Sequence, residues 1–177
     1  MGTDPKDSGE AERMVAWVRD HGPAVRGYLR GIIRNAHAAD DLTQEVFTRA
    51  WTHRARYNEQ GQSRAFLLRI ADRLACDLLR RNKAEVARMD RIREEAKPDF
   101  AAVDPARKAV DAEAAQQVVA ALEVLSPDQR RVLLLRYYGA MPFHEIAETL
   151  KIPLSTALSH CHRGLKMLRI QLAEREA

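Results

Sequence analysis

Apolar residues recur every three or four positions through most of the chain, a spacing that predicts helices rather than strands. In "ERMVAWVRD" and "AVRGYLRGIIRN" the period is interrupted by His21-Gly22-Pro23, which predicts the end of one helix and the start of a second. Ala38 to Thr52 predicts a third helix, and the polar stretch "HRARYNEQGQS", punctuated by Gly61, predicts a loop. A fourth helix beginning near Ser63 places Phe66, Leu67, Ile70, Leu74 and Leu78 on one face. Its opposite face carries Arg69, Arg73, Asp77 and Arg80, and is expected to be basic and exposed.

Beyond Lys83 the period dissolves. Residues 84 to 112 mix both charge signs, contain Pro98 and Pro105, and have too few periodic apolar positions for a packed core, so they read as a flexible linker into whose start the fourth helix runs on. Helical spacing returns at Ala112 with "AEAAQQVVAALEVL". Ser126-Pro127 reads as an N-cap followed by proline in the first helical position, opening a helix "PDQRRVLLLRYY" that ends at Gly139. A short helix "FHEIAETLK", with Ile146, Ala147 and Leu150 inward, is joined by "IPLS" to a longer one, "TALSHCHRGLKMLRIQL". On the longer helix Ala157, Cys161, Leu165, Leu168 and Leu172 are expected inward. Two helices across a tight turn, the second basic on its outer face, fit a helix-turn-helix whose second helix enters the major groove; a plain antiparallel helical hairpin fits the same spacing.

With 177 residues and 46% apolar content, the chain suits one domain or two small ones. Net charge is a modest +4 but unevenly placed: Arg64 to Lys83 holds six basic groups against two acids, and His160 to Arg169 holds three basic groups and no acid. Such clusters fit two phosphate-facing surfaces, since neutralising phosphates releases counterions, and they fit two solvated helix faces equally. No apolar run is long enough to cross a membrane, and Met1 to Glu12 is polar and acidic where a secretory signal would be basic and then hydrophobic; a cytoplasmic location without membrane insertion is expected. Cys76 and Cys161 lie far apart in apolar helical patterns and are expected as buried thiols. His144-Glu145 is half of a zinc-protease motif, but Glu148 stands where the second histidine is required, and His160 and His162 point away from each other on a helix. No nucleophile elbow, phosphate-binding glycine loop or pair of catalytic carboxylates is legible, so the chain reads as a non-enzyme without cofactor or metal.

Four stretches together resemble the extracytoplasmic-function sigma factors of the sigma-70 family. "AADDLTQEVFTRAW" is similar to the family's polymerase-binding helix and "RAFLLRIADRLACDLLRR" to its promoter-melting helix. "LSPDQRRVLLLRYYGAMPFHEIAETLKIP" and "STALSHCHRGLKMLR" are similar to its C-terminal helix-turn-helix domain. The resemblance implies an all-helical chain: an N-terminal tail (1–13), a region 2 helical bundle (14–83), the linker (84–112) and a region 4 helix-turn-helix (113–177). It implies three partners: core RNA polymerase, bound at the clamp of its largest subunit, promoter DNA, and an anti-sigma factor.

It also implies site residues. Asp41, Gln44 and Glu45, at i, i+3 and i+4 on one helical face, match the family's contacts to a basic coiled coil of the polymerase, with Leu42, Val46, Phe47 and Ala50 facing inward. Asn58 and Gln60, in the loop, would meet a flipped base of the minus-ten element. Arg69, Arg73, Arg80 and Arg81 would hold phosphates near the melted junction, although Arg73 stands where the family has asparagine. For the minus-thirty-five element the matching positions are Thr156, Leu158, Ser159, His160, Arg163 and Lys166. Relatives carry basic side chains at the positions of Leu158 and His160, so base readout is expected to differ here while Arg163 and Lys166 keep phosphate anchoring. Pro153 replaces a capping hydroxyl, leaving the helix to begin at Pro153 or to be capped by Ser155. Two alternatives stay open: a helix-turn-helix regulator, and a sigma-like decoy that captures an anti-sigma factor.

Overall fold

The structure, a computed structural model, describes residues 5–54, 62–93 and 121–176. The described residues are helical throughout apart from short connections: α1 (Pro5–Ile33), α2 (Ala36–Thr52), α3 (Ser63–Arg93), a 3-10 turn (Leu122–Val124), α4 (Pro127–Gly139), α5 (Phe143–Leu150) and α6 (Leu154–Glu176). Asn58 and Gln60, with most of the loop expected to read the minus-ten base, lie outside the described residues, as do residues 94 to 112 of the expected linker.

The two helices expected on either side of His21-Gly22-Pro23 are one. α1 runs through Pro23, because Trp17, Ala24, Val25, Tyr28, Leu29 and Ile32 form one continuous buried stripe. A proline forfeits one backbone hydrogen bond and crowds the preceding turn; here its ring faces solvent, and the core contacts on both sides hold the axis. Helix α1 also takes in positions 5 to 13, expected as a tail. The α1–α2 junction turns at Arg34 (φ 61°), and the Asn35 side chain accepts from the Ala38 amide at 3.0 Å, capping α2.

Helix α3 starts at Ser63 as expected and continues to Arg93. In the C-terminal half, Ser126 caps α4 through a reciprocal capping box with Gln129, and Pro127 stands in the first turn. Backbone reversals at Ala140 (φ 48°) and Lys151 (φ 55°) end α4 and α5. At the start of α6 the Pro153 carbonyl accepts from the Thr156 and Ala157 amides at 3.0 and 3.1 Å, so Pro153 occupies the cap position.

The inward face of α6 is Ala157, Cys161, Gly164 and, partly, Leu168. Leu165 and Leu172, expected inward, are 43% and 50% exposed. Four-residue steps outrun the 3.6-residue turn, so the buried stripe passes through Gly164, whose missing side chain admits Leu133.

One apolar core runs through both halves, from Tyr28, Val46 and Leu67 to Leu135, Met141 and Ile146. Helix α4 lies against α1 and α3, and α5 approaches α3. Close approach of α4 depends on glycine: a Cβ at Gly27 would stand 2.5 Å from Tyr138 Cε1, and one at Gly31 2.7 Å from Leu134 Cδ1.

Candidate nucleic-acid and protein interfaces

Three surfaces carry the candidate residues. The first is the outer face of α2. Val46 and Ala50 are fully buried and Leu42 and Phe47 partly so, which turns Asp41, Gln44 and Glu45 outward. The adjacent acids Asp40 and Asp41 have different fates. Asp40 accepts a two-pronged hydrogen bond from Arg26 (Nε–Oδ1 2.6 Å, Nη2–Oδ2 2.7 Å), with Arg30 at 3.5 Å, and the hydrogen bond from Arg26 holds its carboxyl below the ordinary carboxylate range. Asp41 is exposed and makes no ion pair among the described residues, while Glu45 pairs with Arg49 one turn on at 2.7 Å. The face thus offers one unpaired carboxylate, an amide and a lightly held carboxylate.

The second surface is α3. Arg73, Arg80 and Arg81 are exposed; Arg80 lies 3.3 Å from Asp77, and Arg73 has no ion pair among the described residues. Arg69 departs from the exposed face expected for it, donating to Glu145 of α5 at 2.9 Å, where the Glu145 side chain is only 13% exposed.

Asp72, which sequence reasoning passed over, is the most buried charged residue of this helix among the described side chains, at 3% exposure. It accepts from the Tyr28 hydroxyl at 2.6 Å and from Arg131 of α4 at 2.9 and 2.7 Å. Burial, and then the neighbouring carboxylate, push the Tyr28 hydroxyl pKa well above its ordinary value. Burial works against the charge on Arg131, but the hydrogen bond to Asp72 and the carboxylate's charge together outweigh it and raise the Arg131 pKa. A sequence signal did exist: Asp72 falls in the stripe Ala65, Leu68, Ala75, where an acid needs a buried partner.

The third surface is α6. Leu158 is 45% exposed, Ser159, Arg163 and Lys166 are exposed, and Thr156 is half-buried near the helix start. His160 is half-buried, with Nδ1 enclosed and unpartnered. An outer face with a leucine and two cations that make no ion pair among the described residues, Arg163 donating only to the Ser159 carbonyl, can grip phosphates and touch a thymine methyl, but Leu158 cannot make a bidentate hydrogen bond to guanine. Burial raises both thiols: Cys161 is buried and Cys76 half-buried. Among the described residues, no group of three His, Cys, Asp or Glu side chains could hold a metal ion, and no helix is long and apolar enough to cross a membrane.

An outward acidic face on one helix, cations on a second, and a helix-turn-helix beyond them put surfaces of opposite charge on separate helices of one chain. The family models agree: "Sigma-70 region 2" matches residues 17–85 and "Sigma-70, region 4" matches residues 115–168. The ECF RNA polymerase sigma factor SigK of Mycobacterium ulcerans is 31% identical over 82% of this chain and 78% of its own length. SigE of Mycolicibacterium smegmatis is 32% identical over 94% of this chain, which spans 65% of that relative. In fold, the chain is similar to the sigma factor RpoE crystallised with the anti-sigma factor NepR from Bartonella quintana (TM-score 0.72, 21% identity, 92% of this chain and 98% of that one). The chain belongs to the extracytoplasmic-function RNA polymerase sigma factors of the sigma-70 family.

Proposed function

We propose that this chain binds core RNA polymerase and directs it to promoters, acting in the cytoplasm. Residues 14–83 would serve as the polymerase-binding and minus-ten unit and residues 113–177 as the minus-thirty-five unit, with 84–112 as the tether between them. The observation that carries the reading is the split between Asp40 and Asp41. Asp40 is spent on Arg26 and Arg30, whereas Asp41, Gln44 and Glu45 face outward on a fixed helix. An acidic face on a basic chain serves a protein partner, and complementary charge would steer its docking on a basic coiled coil of the clamp. Arg73, Arg80 and Arg81 then meet the melted minus-ten strand, and Arg163 and Lys166 anchor the upstream duplex, with Thr156, Leu158, Ser159 and His160 at its bases. Similarity to a sigma factor crystallised with an anti-sigma factor supports an inhibitor of that kind as a third partner.

Promoter-dependent transcription with added core polymerase tests this. Specific product should require both the chain and core. A helix-turn-helix regulator would bind DNA and yield no core-dependent product, and a decoy would bind neither core nor promoter.

A further inference from the structure

We propose that this chain closes on itself without an inhibitor: α4 and α5 act as an intramolecular partner for α1 and the promoter-facing α3, and the Asp72–Arg131 pair sets the register of that contact. The proposal rests on the reading of α3 as a DNA-facing helix.

Three layers of contact argue for it. First, α1 carries Gly27 and Gly31 one turn apart, and the three atoms nearest to an added Cβ at each belong to the C-terminal half: Tyr138 at Gly27, Leu134 and Leu122 at Gly31. A Cβ on Gly139 of α4 would stand 3.0 Å from Leu68 Cδ1 of α3, after Met141 of its own half at 2.8 Å. Backbones meet at this depth only where side chains are missing, so the seat is shaped for α4. Second, Asp72 draws one strong donor, Tyr28, from its own half and two from Arg131. A carboxylate among Arg69, Arg73 and Arg80 can only repel a phosphate, which leaves the protein itself as its customer. Buried pairs of this kind give modest net stability but punish a wrong register, because a lone buried charge is costly. Third, Glu145 takes Arg69, one of the cations assigned to the promoter. Arg69, Arg73 and Arg80 line a cleft whose far wall is built by α4 and the end of α5 and carries Asp128 and Glu148 beside Arg131 and Lys151, so a strand following these arginines meets the C-terminal helices along one side.

The face carrying Asp41 and Gln44 stays exposed in this arrangement. Docking on polymerase is therefore open to the closed chain, whereas DNA binding is reduced by the fraction of chains that are open.

Asp72→Asn alone would be ambiguous, since removing an acid favours DNA whatever the conformation. Arg131→Gln and Gly31→Leu avoid this. The first removes a cation, which by itself weakens DNA binding; the second puts a good helix former on a face free in the open form and filled by Leu134 in the closed one. Full-length chains would be compared by solution X-ray scattering, by circular dichroism for helix content, by anisotropy on a fluorescent pool of randomised single-stranded DNA at one salt concentration, and by binding to core polymerase. Both variants should keep their helix content, increase the radius of gyration, bind the pool about tenfold tighter and bind core within about twofold of wild type. An unchanged radius of gyration in folded Arg131→Gln, with pool binding unchanged or weaker, overturns the closure. Expansion in both variants while no chain binds core would overturn the sigma reading and leave the closure standing.

Discussion

Asp40 and Asp41 are neighbours of one residue type, yet the structure predicts opposite consequences for replacing them. Asp40→Asn removes the carboxylate that Arg26 grips with two hydrogen bonds of 2.6 and 2.7 Å. Geometry is good, but the two side chains are 49% and 38% exposed, so water screens the attraction and the loss should be about 1 kcal/mol or less. For a chain of this size that lowers the calorimetric midpoint by about 2–4 °C at most. The sign with pH follows from the lowered carboxyl pKa. The stabilisation is complete above the ordinary aspartate value of 3.8 and is lost as pH falls through the lower folded value, so wild type and Asp40→Asn should converge in strong acid. Core binding should hardly change. Asp41→Lys with Glu45→Lys should do the reverse: Asp41 has no ion pair to lose and Glu45 loses only the i,i+4 pair with Arg49, so the midpoint should move little, while affinity for core polymerase falls about tenfold or more, mainly through slower association. Calorimetry and fluorescence anisotropy with labelled chain and purified core read both quantities on one preparation. Asp40→Asn weakening core binding as strongly as the double reversal, or the double reversal binding normally, would refute the division of labour between the two acids.

Arg130→Ala should destabilise the C-terminal half by about 2–3 kcal/mol in urea titration, because Arg130 is 8% exposed and donates to the Leu122 carbonyl at 2.7 and 3.0 Å and to Leu125 at 3.3 Å. Burial and then the charge of Arg64 lower the pKa of His21, so the unfolded chain takes up a proton that the folded chain refuses; stability should fall as pH drops through 6.5 and level off below the folded value, and His21→Gln should flatten that slope in melts across about pH 5 to 8. Leu158→Arg with His160→Arg should shift the upstream sites recovered from randomised DNA toward guanine, each new bidentate contact being worth about 1–3 kcal/mol, and identical sites for both proteins would show that these positions read no bases.

Most helices were legible because a buried stripe leaves a period of 3.6 in the sequence: Ser63 opens α3 and Ser126-Pro127 opens α4 where local chemistry places them. Errors arose where a long-range contact overrode a local signal. Pro23 is a breaker by its own chemistry, but Trp17 and Val25 face the same core across it. Leu165 and Leu172 are apolar and still exposed, since Gly164 faces Leu133 and rotates the stripe away from them. The acidic site shows the same limit: spacing put Asp41, Gln44 and Glu45 on one face, but only the position of Arg26 on α1 distinguishes Asp40 from Asp41. Asp72 shows half of its role in sequence, as an acid in an apolar stripe, but its partner does not show, Arg131 lying 59 residues away.

A chain that carries both an acidic docking face and basic DNA faces risks satisfying one with the other, and the way its charges are paired bears on this. Glu45 is held by Arg49 and Arg80 by Asp77, each within one turn of its own helix and each largely exposed. Pairs of that kind are worth well under 1 kcal/mol, so an incoming partner can take over either member at little cost. Asp72 with Arg131 is another matter, with side chains only 5% and 22% exposed, and parting them requires both groups to regain water together as the halves separate. Exchange should therefore be ordered by burial. The exposed Glu45–Arg49 pair on α2 gives way first to a docking protein, and the buried pair yields only when contacts elsewhere compensate for the whole α1–α4 seat. Core polymerase, docking on a face exposed in both forms, leaves the closed–open balance where it was, so the tighter pool binding of Gly31→Leu over wild type should persist at saturating core. A difference between the two chains that vanishes once core is added would mean that docking and opening are coupled, and would refute this order of exchange.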